Sequence, residues 1–352
     1  MPDFFSVYTN SNQYDNPLKD RYNRDRYYNS FNGDIFTPVL SKQIQQEGFV
    51  PHYPGNKKFA VCISHDIDHL FNQQAFTRKI INTTKHFLKG RFNGAYSSLK
   101  SIVKEEIAPQ NSLKTLREIN NAFHVKSSYY FLSLDKGEED YNYSVENIKN
   151  EFDAVLSDSC EIGLHGGHTA YNNLDKILSE KSKLEASCTS KLKGYRNHYL
   201  RFQLPVTWKN IANAGFLYDT TFGYADCIGF RNGMCYPFYP YDAVKNEFID
   251  IIELPLIVMD ATLFYYMRFD KSASLKICRK IIEEVKNCQG VFTLLWHNNF
   301  IGGEMGDTYK AILELLNEYD PWFATSSDIV EWWKKEQLIE KSQNIVQKLM
   351  LK

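Results

Sequence analysis

The sequence predicts an α/β protein with a buried parallel sheet, and three observations lead to that prediction. Short apolar segments alternate with longer segments of helical periodicity, which is typical of parallel strand pairing. The short segments are apolar throughout, which indicates strands buried on both faces. Four of them end in clusters of His, Asp, Arg or Asn, as expected where the carboxyl ends of parallel strands meet around one pocket. Periodicity alone leaves a barrel and an open sheet as alternatives.

The first elements follow an irregular start. Residues 1–57 are rich in Asn, Tyr, Asp and Arg and show little periodicity, so we expect an irregular extension lying on the body. The first strand is expected at residues 59–64, followed by a helix at about residues 75–88. A helix at 112–123 then leads into a strand at 127–132 that is dense in Tyr and Phe.

The alternation continues to the end of the chain. We expect helices at 144–157, 174–192, 205–215 and 272–288. We expect strands at 161–164, 249–255 and 291–296, and a further strand that ends at Tyr195. The stretch after Ser327 carries apolar side chains on one stripe, so we expect a terminal helix docked on the core. A helix lying on a membrane surface is the lesser alternative. The main domain is therefore placed at 58–335, and 336–352 is the end of the terminal helix.

Composition argues against several classes of protein. A chain of 352 residues can bury an ample core, and its net charge of −1 lacks the basic excess typical of nucleic-acid binding. No apolar stretch reaches the ~18 residues that a membrane span needs. The N-terminus shows no basic segment followed by an apolar run, so no secretory signal is visible. The seven cysteines include no C-x-x-C pair and are interpreted as reduced thiols. We therefore expect a cytoplasmic protein.

Two carboxylates come directly after the first strand. Asp66 and Asp68 would point the same way in an extended segment because side chains alternate. One could bind a cation while the other remains free as a base. For an isolated acid pair, capping of the following helix is the alternative. The flanking His65 and His69 favour the chemical role.

The third expected strand ends in two histidines separated by two glycines. Gly166 and Gly167 allow a tight turn, so the imidazoles of His165 and His168 could reach one ion. Imidazole together with carboxylate suits Zn²⁺, and also Fe, Co or Ni. One Asp and two His would leave a position open for water, as in catalytic zinc sites. The alternative is that only His165 binds, with His168 supporting it or touching substrate.

Arg196, His198 and Tyr199 follow the next strand. An arginine beside a carboxylate would hold Asp66 ionised and oriented, whereas its ordinary role would be a surface ion pair. His198 is either a metal ligand or a substrate contact. Tyr199 could offer its backbone N–H to an oxyanion.

A last histidine, His297, follows an apolar strand that ends at Trp296. Such a residue is either a satisfied core histidine or a general acid tuned by its apolar surroundings. Considered alone, the core interpretation is favoured. The three other clusters at strand ends favour the general acid.

These four clusters resemble the motifs of the polysaccharide deacetylase (NodB-homology, carbohydrate esterase family 4) superfamily, as an atypical member. They occur in the family's order as SHDIDH, EIGLHGGH, GYRNHY and TLLWHN, over roughly residues 57–335. The resemblance implies a distorted (β/α) barrel and metal-dependent removal of N- or O-acetyl groups from sugars. It also implies roles for single residues: Asp66 as the base, Asp68 and His165 as metal ligands, Arg196 as the residue that positions Asp66, and His297 as the acid.

The chain departs from the family pattern in the residues that would complete the metal site. The second motif usually spaces its histidines by four, where this chain has Thr169, and His198 replaces the usual proline of the third motif. We take His168 as the third ligand, with His198 as the alternative. The D-x-D form of the first motif resembles atypical members with amidase-like activity.

The segment 218–233 resembles the region of the family's fourth motif. Its Asp219, Asp226 and Arg231 are candidates for orienting Arg196 or for binding substrate. The expected substrate-binding residues are then His198, Tyr199, Asp226, Arg231 and Trp296.

The expected function is hydrolysis of an N-acetyl or related acyl group on a sugar, with a divalent cation that is most simply Zn²⁺. A carbohydrate or sugar conjugate is the expected partner, with a homo-oligomer left open. The absence of a visible signal suggests an intracellular precursor in surface polysaccharide biosynthesis. Two alternatives are a ring-opening amidase on a cyclic amide such as allantoin, and a catalytically impaired protein that binds glycans.

Overall fold

The computed structural model describes residues 3–70 and 112–351, so the helix expected at 75–88 lies outside the described residues. Numbered in chain order, the strands are β1 (Ala60–Ile67), β2 (Ser127–Leu132), β3 (Glu161–Gly166), β4 (Gly194–Asn197), β5 (Tyr218–Asp219), β6 (Tyr241–Asp242), β7 (Glu247–Phe248), β8 (Ile252–Glu253), β9 (Val258–Met259), β10 (Val291–Leu295) and β11 (Trp322–Phe323). The helices are α1 (Phe4–Thr9), α2 (Val39–Gln46), α3 (Ser112–Ala122), α4 (Lys149–Ser157), α5 (Leu174–Cys188), α6 (Val206–Asn213), α7 (Lys271–Asn287), α8 (Gly303–Glu318), α9 (Ser326–Lys335) and α10 (Leu338–Met350).

The main sheet confirms the predicted parallel α/β architecture. Its strands lie in the order β8-β5-β4-β3-β2-β1-β10-β9, with β11 paired to the start of β1. Every pairing in this sheet is parallel. β6 and β7 form a separate antiparallel hairpin. All the carboxyl ends of the main strands therefore face one edge, where the polar clusters of the sequence gather.

The connection between β8 and β9 shows that the sheet is curled into a distorted barrel. These two strands lie at opposite ends of the eight-strand path, yet only residues 254–257 join them. A flat sheet would separate them by about 34 Å, at ~4.8 Å for each of the intervening steps. The linking residues can span at most about 18 Å even when fully extended. The sheet must therefore bend round until its two ends are close.

Burial explains why the short apolar segments become central strands. Every residue of β1, β2 and β10 is buried, which places each strand between two covered faces. β1 runs to Ile67, three residues beyond the predicted end at 64, because its ladder with β2 continues to the pair Ile67 and Phe131. This extension puts His65 and Asp66 inside the strand rather than in the loop after it.

Several elements differ from the prediction. The N-terminal extension was expected to be irregular, but it contains the helices α1 and α2. The helix expected at 144–157 begins with a 3-10 turn, Val145–Asn147, and Ser144 caps no backbone N–H with its side chain. The strand expected at 249–255 shortens to β8. The terminal helix is two helices, α9 and α10, because Gln337 between them adopts a left-handed conformation with φ 56°. Both pack on the core, through residues such as Trp333 and Ile339.

The N-terminal extension lies along the body through buried polar contacts. Tyr8 is 2% exposed and its hydroxyl donates to the carbonyl of Tyr239 at 2.7 Å. The amide of Gln13 donates to the hydroxyl of Tyr224, also at 2.7 Å. Among the described residues, no helix has the length and apolarity that crossing a membrane requires. All seven cysteines lie in the described ranges, and each is buried and free.

Candidate metal centre and active site

The carboxyl ends of five strands bring together the side chains that the sequence singled out. Each end contributes one or two of them: Asp66 and Asp68 at β1, His165 at β3, Arg196 and His198 at β4, Asp260 at β9 and His297 at β10. Apart from Asp260, all of these were predicted as site residues. Side chains that lie far apart in the chain thus meet at one edge of the sheet.

Asp68, His165 and His198 form a group that could hold a metal ion. Nε2 of His165 lies 3.0 Å from Nδ1 of His198, and Oδ1 of Asp68 lies 3.3 Å and 3.6 Å from these two atoms. Ligands ~2.1 Å from a tetrahedral Zn²⁺ are about 3.4 Å apart, so the observed separations match. Oδ1 of Asp68 is buried without a hydrogen-bond donor among the described residues, as a ligand oxygen would be.

The far nitrogen of each imidazole has a partner that fixes the ring. Nδ1 of His165 lies 3.0 Å from the carbonyl of Arg196, which only an N–H can satisfy. Nε2 of His198 lies 3.2 Å from Oδ2 of Asp140. These contacts leave Nε2 of His165 and Nδ1 of His198 with lone pairs facing Asp68, the usual tautomers of metal-binding histidines. The hydrogen bond from His198 lowers the pKa of Asp140, although burial opposes it.

Asp66 stands beside this group as a buried carboxylate. It is 2% exposed, and its Oδ2 lies 3.6 Å from Nε2 of His165. Nη1 of Arg196 lies 3.7 Å from its Oδ1. The guanidinium is itself held by Ser64, whose hydroxyl accepts from Nη2 at 2.9 Å, and by the ring of Tyr130, 4.9 Å below. Arg196 therefore keeps a fixed positive charge next to Asp66.

His297 is paired with an aspartate that the sequence reasoning missed. Nδ1 of His297 lies 2.7 Å from Oδ1 of Asp260, and its backbone N–H donates to Oδ2 at 2.6 Å. Its Nε2 faces Asp68, 3.8 Å from Oδ2. Burial alone would lower the pKa of His297, but Asp260, together with Asp68 and Asp66, raises it to about 10. The signal in the sequence was an acid directly after the apolar segment 254–259, which contains β9.

The loop after β3 rests on a second unpredicted acid, Glu180 of α5. Its Oε2 accepts the backbone N–H of Gly167 at 2.8 Å, and it is 2% exposed. A Cβ on Gly167 would lie 2.7 Å from Oε1 of Glu180, so a side chain there would displace the carboxylate. Burial raises the pKa of Glu180 to about 7.

A cavity of about 440 Å³ opens over the site. Asp66, Asp68, His198 and His297 line its floor. Aromatic side chains line its walls: Tyr199, Tyr265, Tyr266 and Phe300. Tyr265 and Tyr266 end a π-helix, Thr262–Tyr266, that begins two residues after Asp260. Arg21 and Arg24 of the N-terminal extension also line the cavity.

No protein-family model matches the sequence, and no curated protein matches it significantly. Solved structures, in contrast, do match this chain. A Mycobacterium smegmatis protein, provisionally assigned as a polysaccharide deacetylase, has a TM-score of 0.56 at 17% identity, over 82% of this chain and 95% of that one. The chain has the polysaccharide deacetylase fold. At 17% identity this likeness establishes the fold.

Two further structures with the polysaccharide deacetylase fold align less closely. A polysaccharide deacetylase from Bacillus cereus gives a TM-score of 0.42 at 10% identity, covering 76% of this chain and 91% of that one. A carbohydrate esterase family 4 pseudoenzyme from Bacillus anthracis gives 0.41 at 11% identity, covering 78% and 66%.

On this polysaccharide deacetylase fold, His168 lies beside the metal group rather than within it. It groups instead with Glu139 and Asp140, its Nε2 3.6 Å from Oε2 of Glu139. The chain turns away after β3 at the glycine pair and carries His168 past the site. The geometry therefore departs from the first choice of the sequence and favours His198 as the third ligand.

Three of the expected substrate-binding residues do not line the cavity. Trp296 is fully buried and packs against Tyr309 in the core. Oδ1 of Asp226 accepts the backbone N–H of Tyr27, and Nη2 of Arg231 donates to Gln13 at 2.7 Å. Asp226 and Arg231 thus hold the N-terminal extension, whereas His198 and Tyr199 do line the cavity.

Asp219 does not contact Arg196 in any hydrogen bond that the structure shows. It lies in a fully buried acid pair with Glu253, whose Oε2 accepts Trp208 Nε1–H at 2.7 Å. Burial raises the pKa of Asp219 to about 6 and that of Glu253 well above its usual value. The neighbouring Thr220 provides the direct contact, with its hydroxyl 3.3 Å from Nη2 of Arg196.

Proposed function

We propose that the protein is a metal-dependent hydrolase that removes an N-acetyl or related acyl group from a sugar. One observation carries the proposal: a buried carboxylate, a cluster of metal-ligating atoms and a histidine–aspartate pair face one cavity. Amide hydrolysis needs these three elements together, because water must be activated, an oxyanion stabilised and an amine protonated.

The metal would be held by Asp68, His165 and His198. Nitrogen and carboxylate ligands with three protein positions suit Zn²⁺, with Co²⁺, Ni²⁺ and Fe²⁺ as alternatives. When bound, the ion would polarise the acyl carbonyl and make its water a better nucleophile.

Asp66 acts as the base in this proposal. Its carboxylate would accept the proton of the attacking water, and the guanidinium of Arg196, with Nη1 3.7 Å from Oδ1, would orient it. The backbone N–H of Tyr199 would donate to the oxyanion that forms on the acyl carbon.

His297 acts as the acid. Its Nδ1–H is held by Asp260, so Nε2 is the atom that carries a proton into the cavity. That proton would pass to the departing sugar amine. Asp66 and His297 thus have opposite roles because their neighbours differ: a guanidinium beside one and a carboxylate beside the other.

The cavity supports a sugar as the substrate. Aromatic faces at Tyr199, Tyr265, Tyr266 and Phe300 offer stacking surfaces for the apolar faces of a sugar ring. Its volume of about 440 Å³ suits a small ligand rather than a long polymer lying in an open groove. Seven buried, unpaired cysteines support a reducing compartment, and hence an intracellular precursor of a surface polysaccharide.

The test is acetate release from N-acetylated sugars by the purified protein loaded with Zn²⁺, Co²⁺ or Ni²⁺. UDP-N-acetylglucosamine serves as the precursor probe, N,N′-diacetylchitobiose as the probe for a polymer fragment, and allantoin as the cyclic amide. Acetate release that chelation abolishes supports the proposal. Ring opening without acetate release indicates the cyclic amidase instead. No hydrolysis of any probe by the metal-loaded protein indicates a glycan-binding role.

A further inference from the structure

The guanidinium of Arg24, in the N-terminal extension, joins three segments around the cavity. Its Nε donates to Oδ2 of Asp20 at 2.8 Å, within the extension itself. Nη1 donates to the carbonyl of Tyr199 at 2.7 Å, and Nη2 donates to the hydroxyl of Tyr266 at 2.8 Å. Arg24 is only 5% exposed, so these contacts are made largely away from solvent.

The segment that Arg24 grips on one side has an unfavourable backbone. Tyr199 and Leu200 both lie in the left-handed region, with φ of 59° and 52°, although neither is glycine. Such conformations persist where surrounding contacts hold them. The extension supplies two of those contacts, because Arg24 binds the carbonyl of Tyr199 and Tyr22 stacks on its ring at 4.6 Å. This strained segment directly follows His198.

The segment that Arg24 contacts through Tyr266 is connected to the proposed general acid, His297. Tyr266 ends the π-helix that follows Asp260, and Asp260 holds His297. π-Helical turns are rare and occur frequently at functional sites. One buried guanidinium therefore links the segment that carries His198 to the segment that carries Asp260.

We propose that Arg24 is a positioning residue of this active site, and that the N-terminal extension is a wall of the catalytic cavity. Through Tyr199 and Tyr266 it holds the ligand His198 and the His297–Asp260 pair at the separation that the reaction requires. The catalytic part of this inference rests on the proposed function; the structural part does not.

Lysine cannot replace Arg24 in this role. An ammonium is a compact charge, whereas the planar guanidinium directs separate N–H groups to Asp20, Tyr199 and Tyr266 at once. The ion pair with Asp20 balances the buried charge, with Nη2 2.6 Å from Oδ2. A variant that restores only the charge should therefore behave like one that removes it.

The test compares Arg24→Ala and Arg24→Lys with Arg26→Ala in the full chain loaded with Zn²⁺. Arg26 is an exposed arginine of the same extension that does not line the cavity, so it is the matched control. We expect kcat for acetate release to fall about 10- to 100-fold in both Arg24 variants, with unchanged zinc stoichiometry and little change in KM. Added guanidinium at non-denaturing concentration should recover part of kcat in Arg24→Ala.

Hydrogen–deuterium exchange of the metal-free proteins gives a readout that does not need activity. We expect peptides covering 198–200 and 262–266 to exchange faster in Arg24→Ala and not in Arg26→Ala. Tyr22→Ala, which removes only the stacking on Tyr199, should show the same change more weakly and serves if Arg24→Ala does not fold.

Unchanged exchange at both segments, or unchanged kcat in a folded Arg24 variant, would overturn the inference. If the parent protein releases no acetate, the deacetylase proposal fails. The exchange measurement then still decides whether Arg24 holds the segments 198–200 and 262–266.

Discussion

Asp260 and His297 lie 37 positions apart in the chain and share two hydrogen bonds, one to the imidazole Nδ1 and one to the backbone N–H. The bond to the backbone N–H fixes the main chain at the end of β10, and the bond to Nδ1 fixes the imidazole ring. His297 is therefore held at two points, one on its backbone and one on its ring, and only Nε2 is left to face the cavity. Asp260 therefore orients a residue that the sequence motifs reveal, although the motifs do not contain Asp260 itself.

Asp260→Asn should remove most of the activity while leaving the metal bound. An amide cannot hold the imidazolium as the carboxylate does, so His297 would be protonated less often and oriented less firmly. We expect kcat to fall about 10²- to 10⁴-fold, the range that a general acid contributes. Steady-state kinetics and zinc content check this result. Asp226→Asn, an acid that binds the extension instead, is the matched control.

Asp66→Asn should abolish turnover without loss of zinc. The substitution removes the proposed base but keeps a side chain of the same size beside Arg196. Activity assays and metal analysis of the same preparation give the measurement. Parent-like activity would contradict the assignment of Asp66 as the base.

His198→Ala and His168→Ala should differ sharply in metal affinity. His198 lies in the ligand group and His168 outside it, so we expect His198→Ala to weaken Zn²⁺ binding by more than the about 10- to 100-fold that outer partners contribute. His168→Ala should keep stoichiometric zinc. Competition titration with a chelator measures both. The reverse order of affinities would restore His168 as the third ligand.

Glu180→Gln should change how stability depends on pH. The pKa of Glu180 is raised from 4.5 to about 7 in the folded protein, so the folded state binds the proton more tightly. The parent therefore loses stability as pH rises from about 4.5 to about 7, by on the order of 3 kcal/mol. Glutamine keeps an acceptor for Gly167 N–H without that loss.

Urea unfolding at pH 5 and pH 8 tests this expectation. The stability of Glu180→Gln relative to the parent should rise between the two pH values. Asp175→Asn, at an exposed acid of the same helix, should follow the parent at both. Parallel pH curves for Glu180→Gln and the parent would show that Glu180 does not carry the effect.

Much of the fold follows from the sequence because buried strands and amphipathic helices carry strong local patterns. The segments that became β2 and β3 were recognised by their apolar residues and turn signals, and Asp68, His165 and His198 by their place after such strands. The barrel itself was not determined by periodicity. It follows from the short link between β8 and β9, whose two-residue strands give almost no pattern.

The rest of the site depends on contacts between distant segments, which local patterns do not contain. The choice between His168 and His198 turns on the left-handed backbone at Tyr199 and on the loop held by Glu180. The glycine pair after β3 indicates a tight turn, but the local sequence marks neither the contact with Glu180 nor the left-handed backbone at Tyr199, which is not a glycine. Arg24 lies in a segment without periodicity, and its role emerges only where the extension meets the cavity.

The place of β1 in the sheet has a consequence for the chain as it is synthesised. β1 begins with four apolar residues and pairs along that part with β10, which begins only at Val291. At ribosomal rates that interval lasts on the order of 10–50 s. During this time the edge of β1 lacks the partner it has in the finished protein, and bare apolar edges template aggregation. Nascent chains arrested before β10 should therefore depend on chaperones to stay out of aggregates.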